Sequence, residues 1–226
     1  MINVPIDIET IPDQRPDALE RIDVQPPGNY KKPESIDKWM AENAKSVATE
    51  KWHKTALSGL HGEICSISYA VEDREIQTLT RGYNENDDEA TLLSMFWFSL
   101  NGELYKYLER EPSRDSVRWV GHNVIDFDLR FIKQRSFVTG VRPWFDLNEK
   151  EAFDTMREWA GWRNTVSLDN LCEALGIVPP EEYADIDIDG SQVCTLFQNK
   201  EYETIARYNA LDVWKVREIY YRMKWA

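Results

Sequence analysis

The sequence predicts a three-layer α/β domain built on a mixed central sheet flanked by helices, and three observations predict it. Residues 2–9 alternate in polarity at period two, which marks a strand with one buried face. Residues 63–71 and 75–81 read as two further strands joined by a tight turn at Glu72, Asp73 and Arg74, an antiparallel hairpin. From Glu201 onward, Ile205, Tyr208, Asp212, Val216, Ile219, Tyr220 and Met223 recur at helical spacing. The order is strand, insertion, hairpin, helix, strand, helix and further helices. It suits a sheet covered on both faces with the first strand in the centre. The 226 residues suit one domain, 1–226, interrupted by an inserted loop and helix at about 10–57.

Each element has a local reason. Residues 10–34 are punctuated by Pro12, Pro16, Pro26, Pro27, Gly28 and Pro33 and read as a long connection, of the kind that carries function or moves. A helix follows at about 35–57, with Ser35 as its N-cap and a stripe of Ile36, Trp39, Met40, Val47, Ala48 and Trp52. The next helix, about 88–109, turns Leu93, Phe96, Trp97, Leu100, Leu104, Tyr107 and Leu108 inward. A short strand at 117–121 leads through 122–127 into a helix that Gly140 ends. Ligands of α/β sheets gather at such carboxyl ends. Along that turn Asp126 reads as an N-cap, Asp128 lies in the first helical turn, and His122 reads as a packed or hydrogen-bonded histidine. A short extended piece lies within 141–164, and then Asp154 caps a helix over 153–160. Ser167 caps another, closed by Gly176. An acidic loop from Pro179 to Gly190 and a short helix from Ser191 to about Gln198 precede the last helix.

Composition narrows the function. The net charge of −13 argues against a sequence-independent grip on long duplex, because phosphate neutralisation drives that binding. It is compatible with an enzyme holding one chain end through divalent cations, which need clustered carboxylates. Residues 28–57 run against the trend, with six Lys and four acids. A solvated helix face is the plain account of them; a substrate clamp is the sharper one, with Tyr30 or a Trp stacking a base and Lys31 and Lys32 meeting phosphate. Three cysteines, Cys65, Cys172 and Cys194, lack metal-ligand spacing and suit a reduced cytoplasmic protein. The chain opens into a strand rather than a signal peptide, and no apolar run is long enough to span a membrane.

Chemistry concentrates at both ends of the chain. Asp7 and Glu9 project from one face of the first strand. Tyr208 and Asp212, four residues apart, share one face of the last helix. A buried Asp212 needs a positive partner. No Lys or Arg stands on its stripe, so a metal ion is the simplest candidate. With the first strand central, Asp7, Glu9, Asp128 and Asp212 converge, and two Mg²⁺ or Mn²⁺ would neutralise them.

Three motifs in this order resemble the 3′–5′ exonucleases of the DEDD superfamily, which have the ribonuclease H-like fold. They are Ile6-Asp7-Ile8-Glu9-Thr10, then Asn123 through Phe127-Asp128, then Tyr208-x-x-x-Asp212. Tyrosine four residues before the last aspartate is similar to the DEDDy branch. The 167–176 stretch, the turn at Asp189, Gly190 and Ser191, and the insertion before the hairpin are similar to stand-alone exonucleases related to the proofreading domain of family B DNA polymerases.

The resemblance implies that Asp7 bridges both metals and that Glu9 and Asp212 hold the one binding the attacking water. It implies that Asp128 helps hold the second and that Tyr208 orients or helps deprotonate the water. Thr10 and Asn123 would contact the terminal nucleotide. The implied substrate is the 3′ end of a single-stranded nucleic acid, DNA favoured, cut to nucleoside 5′-monophosphates. With no polymerase domain in the sequence, polymerase or replication and repair proteins would act as partners in trans. RNA as substrate, or a catalytically silent nucleic-acid- or polymerase-binding module on the same fold, are the competing readings. The second must explain why all four carboxylates and the tyrosine are present.

Overall fold

The computed structural model describes residues 1–83 and 87–224. Among these residues, five strands form one sheet in the order β3-β2-β1-β4-β5. They are β1 (Ile2–Ile11), β2 (Glu63–Tyr69), β3 (Gln77–Thr80), β4 (Val117–Gly121) and β5 (Phe153–Asp154). β1 is central, antiparallel to β2 and parallel to β4. Among the described residues, seven α-helices accompany them: α1 (Pro33–Lys54), α2 (Glu89–Leu108), α3 (Asp128–Thr139), α4 (Thr155–Ala160), α5 (Leu168–Leu175), α6 (Val193–Gln198) and α7 (Tyr202–Met223).

The alternation along β1 assigns its faces. Ile2, Val4, Ile6 and Ile8 enter the main core with Phe96, Trp97, Leu100 and Leu104 of α2 and with Leu129 and Ile132 of α3. The opposite face carries Asn3, Asp7 and Glu9 toward α7, where the Tyr220 hydroxyl donates to Asn3 Oδ1 at 3.0 Å. The β1–β2 register shifts between Glu9 and Thr10. Such an irregularity bends a strand and re-aims its side chains, and it falls here beside the acidic pair. Beyond it Ile11 packs with Cys65, Val193 and Ile205.

Several local expectations are corrected. α1 begins at Pro33 with Lys32 as N-cap and no side-chain cap; the Ser35 hydroxyl instead donates to Lys32 O at 2.7 Å. Pro33 suits that place because its missing N–H is one that the first turn leaves unpaired anyway. None of α1 is buried, so its apolar stripe is only half covered. Tyr107 lies outward, under the Arg74 guanidinium 5.3 Å from the ring centre. Phe153 and Asp154, expected within the helix over 153–160, instead form the two-residue strand β5, and α4 begins at Thr155. Asp88, Asp154 and Ser167 cap α2, α4 and α5 with their side chains, each accepting from backbone N–H groups of the first turn. Among the described residues, no helix is long and apolar enough to cross a membrane.

Candidate active site

Asp7 and Glu9 on β1 and Asp212 on α7 each offer a carboxylate oxygen within 4.8 Å of the others. The pairing of α7 against the centre of the sheet brings them together across more than two hundred residues of sequence. Asp128 joins from the first turn of α3. Its Oδ1 accepts from the backbone N–H of Ile8, between the two β1 acids, at 3.1 Å. Asp126 takes a different course: it caps nothing and bonds the Arg157 guanidinium at 2.6 Å. Asp154 fixes the intervening loop, accepting from the N–H groups of Asn123 and Ile125 while it caps α4. His122 is held by Thr155 Oγ1 and Val166 O, a hydrogen-bonded histidine as expected.

α7 contributes more than the tyrosine and aspartate. Asn209, fully buried, donates from Nδ2 to Asp7 Oδ2 at 2.7 Å. Its Oδ1 accepts from the Ser66 hydroxyl at 3.0 Å, and Ser66 in turn meets Thr80 Oγ1 at 2.9 Å. This chain, from β3 through β2 to α7, fixes which Asn209 atom faces Asp7 and leaves the other Asp7 oxygen for a ligand. Groups that orient a ligand in this way are worth about 10–100-fold in affinity or activity. Asn209→Ala is expected to cost that much in divalent-cation affinity, measured by calorimetric titration; unchanged affinity would remove Asn209 from the site.

The expectation that no cation stands near Asp212 is wrong. Lys215, 7 % exposed, places Nζ 2.9 Å from Asp212 Oδ1 and 2.7 Å from Asp169 Oδ1. It lies three residues on, and i,i+3 positions are helix neighbours just as i,i+4 positions are. A stripe of apolar positions and their fourth neighbours passes over it. Among the described residues, Lys215 is the one Lys or Arg bonded to any of the four carboxylates.

One ammonium against four acids, three of them buried and Asp7 half-buried, leaves a deficit of positive charge. Burial, followed by repulsion from Asp128, Glu9 and Asp212, pushes the Asp7 carboxyl well above the usual range. Burial and then Asp212 and Asp128 do the same to Glu9. Burial raises Asp212 against the pull of Lys215. An all-oxygen donor set of this charge fits hard divalent cations.

Asp128 is pushed by burial from 3.8 to about 8, despite the hydrogen bond from Ile8. The folded chain therefore binds this proton more tightly than the unfolded chain. The resulting stability is full below about pH 4 and is lost as pH rises through about 8. Asp128→Asn removes the dependence. In chelator, its thermal midpoint relative to wild type is expected to climb between about pH 4 and pH 8 and then level off. A difference flat with pH would contradict the buried, proton-holding Asp128.

Tyr208 is half buried beside Asp212, packed on the cluster of Ile11, Cys65, Val193 and Ile205. Burial and the neighbouring carboxylates raise its phenol further above the ordinary 10.0. It remains a protonated donor at neutral pH. On one side it lines a groove of about 420 Å³ with Asp169, Tyr183, Asp187 and Lys215. A second groove, about 560 Å³, runs from Thr10 between His53 and Leu57 and the Gly190–Ser191 turn. The Thr10 hydroxyl donates to Ala56 O at 2.8 Å, tying the end of the insertion to β1. Asn123 has φ 61° and donates its backbone N–H to Asp154, while its side chain makes no hydrogen bond among the described residues.

Residues 57–226 match the family described as predicted 3′–5′ exonucleases related to the exonuclease domain of PolB. The chain belongs to this family. The match begins beyond β1 and α1, so the Asp7 and Glu9 strand lies outside it, whereas Asp128, Tyr208 and Asp212 lie within it. Among solved structures, the family B DNA polymerase from the hyperthermophilic archaeon Pyrobaculum calidifontis aligns with a TM-score of 0.57 at 14% identity. The alignment covers 99% of this chain and 24% of the polymerase. At that identity the likeness shows the fold alone, the α/β ribonuclease H-like arrangement expected from the sequence. No curated protein matches the chain.

Proposed function

We propose that the chain hydrolyses phosphodiester bonds at the 3′ end of single-stranded nucleic acid, DNA in preference to RNA, releasing nucleoside 5′-monophosphates by a two-metal mechanism. One observation carries the reading: Asp7, Glu9 and Asp212 bring carboxylate oxygens within 4.8 Å of one another in a chain of this family. Asp128, drawn to Ile8 N–H, completes the acidic set. Asp7, Glu9, Asp128 and Asp212 would hold two Mg²⁺ or Mn²⁺. Such cations supply Lewis acidity, acidifying the attacking water and offsetting charge on the leaving 3′-oxygen.

The chain's own groups do the rest. Asn209 holds Asp7 in one orientation, and Lys215 does so for Asp212. Tyr208, kept protonated by burial and its acidic neighbours, can donate to the attacking water and align it, but cannot take its proton. Thr10 and Asn123 stand next to the Glu9 and Asp128 segments and are proposed to meet the terminal nucleotide. Positioning and charge stabilisation account for most of the rate in reactions of this kind.

A 5′-labelled single-stranded DNA oligonucleotide with Mg²⁺ or Mn²⁺ tests the proposal, with an RNA copy alongside. A ladder shortening by one nucleotide from the 3′ end supports it; intact DNA and RNA would overturn it. Tyr208→Phe is expected to slow turnover by about 10–100-fold while divalent-cation affinity stays near wild type. A wild-type rate would exclude the hydroxyl from the reaction.

A further inference from the structure

Past α4, which follows the carboxyl end of β5, one indole stands well exposed among the described residues. The turn after α4 holds Gly161 at φ 76° and Arg163 at φ 73° and leaves Trp162 71 % exposed. Trp97 and Trp119, by contrast, are fully buried in the core. Arg157 lays its guanidinium 5.0 Å from the centre of the Trp162 ring and bonds Asp126 at 2.6 Å. Asp126 stands two residues before Asp128. Asp154 ties that same loop to the first turn of α4. Trp162 is therefore braced, through Arg157, against the segment that delivers Asp128 to the acidic pocket.

We infer that Trp162, backed by Arg157, is a stacking platform for an unpaired base upstream of the 3′-terminal nucleotide. The inference rests on the exonuclease reading of the neighbouring pocket. An exposed indole with a guanidinium at one face offers a flat, sequence-tolerant surface for a base. The Arg157 charge is paired with Asp126, and Arg163, exposed next to the ring, supplies positive charge for the strand in a chain of net −13. The occupant is a single strand because a base inside a duplex has both faces stacked on its neighbours, and freeing one costs unstacking energy. The braced position also suits a base outside the pocket rather than the nucleotide being released.

The test compares an oligo-dT strand with the p-nitrophenyl ester of thymidine 5′-monophosphate, which has no upstream base. For Trp162→Ala, the ratio of kcat/KM on oligo-dT to kcat/KM on the ester is expected to fall about tenfold, through KM. Trp162→Phe, which keeps a ring, should recover most of it. A parallel arm follows fluorescein-labelled oligo-dT by anisotropy, without cleavage, in the Asp7→Ala background, where Trp162→Ala should weaken binding by a similar factor. If wild-type protein cuts neither substrate yet Trp162→Ala still weakens binding, the exonuclease reading falls and the platform stands. If oligo-dT is cut and Trp162→Ala changes neither the ratio nor the binding, the platform is overturned.

Discussion

Asp7→Ala is expected to lower hydrolysis of single-stranded oligonucleotide by at least about a thousandfold, the scale seen when a main source of transition-state charge stabilisation is removed. Asp7 is the acid on which the others converge: Asp128, Glu9 and Asp212 each raise its carboxyl, and Asn209 orients it. Alanine removes the central donor. Folding should survive the change. Alanine leaves the buried Asn209 amide without its acceptor, a cost of about 1–3 kcal/mol, and relief of repulsion among the clustered acids offsets it. The variant's thermal midpoint in chelator is therefore expected to stay within a few degrees of wild type. Full activity in Asp7→Ala would refute the proposed site, whereas an unfolded variant would show that Asp7 serves the fold.

The second large effect concerns the scaffold. Arg135 on α3 and Glu89 on α2 form a buried pair, with side chains 7% and 5% exposed. Arg135 Nε reaches both Glu89 oxygens at 3.0 and 2.9 Å, Nη2 reaches Oε2 at 2.6 Å, and Nη1 donates to Gly59 O at 3.2 Å. Glu89 also accepts from Ile64 N on β2 at 2.8 Å. The network joins two helices, a strand and the turn that precedes β2, and every group in it is hydrogen-bonded. Removing one partner strands a buried charge. Arg135→Met is expected to destabilise the chain by about 3–5 kcal/mol, measured by urea unfolding. A loss below about 1 kcal/mol would mean that water or a rearranged carboxylate takes over the pair.

How far the sequence foretold this structure depends on the range of the interaction. The β1 alternation, the hairpin, the caps at Asp154 and Ser167 and the four-residue spacing of Tyr208 and Asp212 follow local rules, and the structure agrees with each, whereas the caps expected at Ser35 and Asp126 do not form. Bringing the acids together required the central place of β1, which element order alone suggested. What escaped is tertiary. Asn209 carries no signal of its own in the sequence, and its role emerges only with Ser66 placed opposite it. Arg135 and Glu89 read as solvated helix charges until their helices cross. Asp126 sits where a cap is expected, yet Arg157 claims it from another element. Two residues of β5 carry too little periodicity to mark a strand. Lys215 was within reach of sequence reasoning, since a residue three positions from a buried aspartate is the first place to look for its counter-charge.

Calorimetric titration of Mn²⁺ into chelator-treated wild type and Asp7→Ala tests whether the acidic pocket gathers divalent cations. Two bound ions in wild type, with at least one lost in the variant, is the predicted result. No binding by wild type, or equal binding by both proteins, would contradict it.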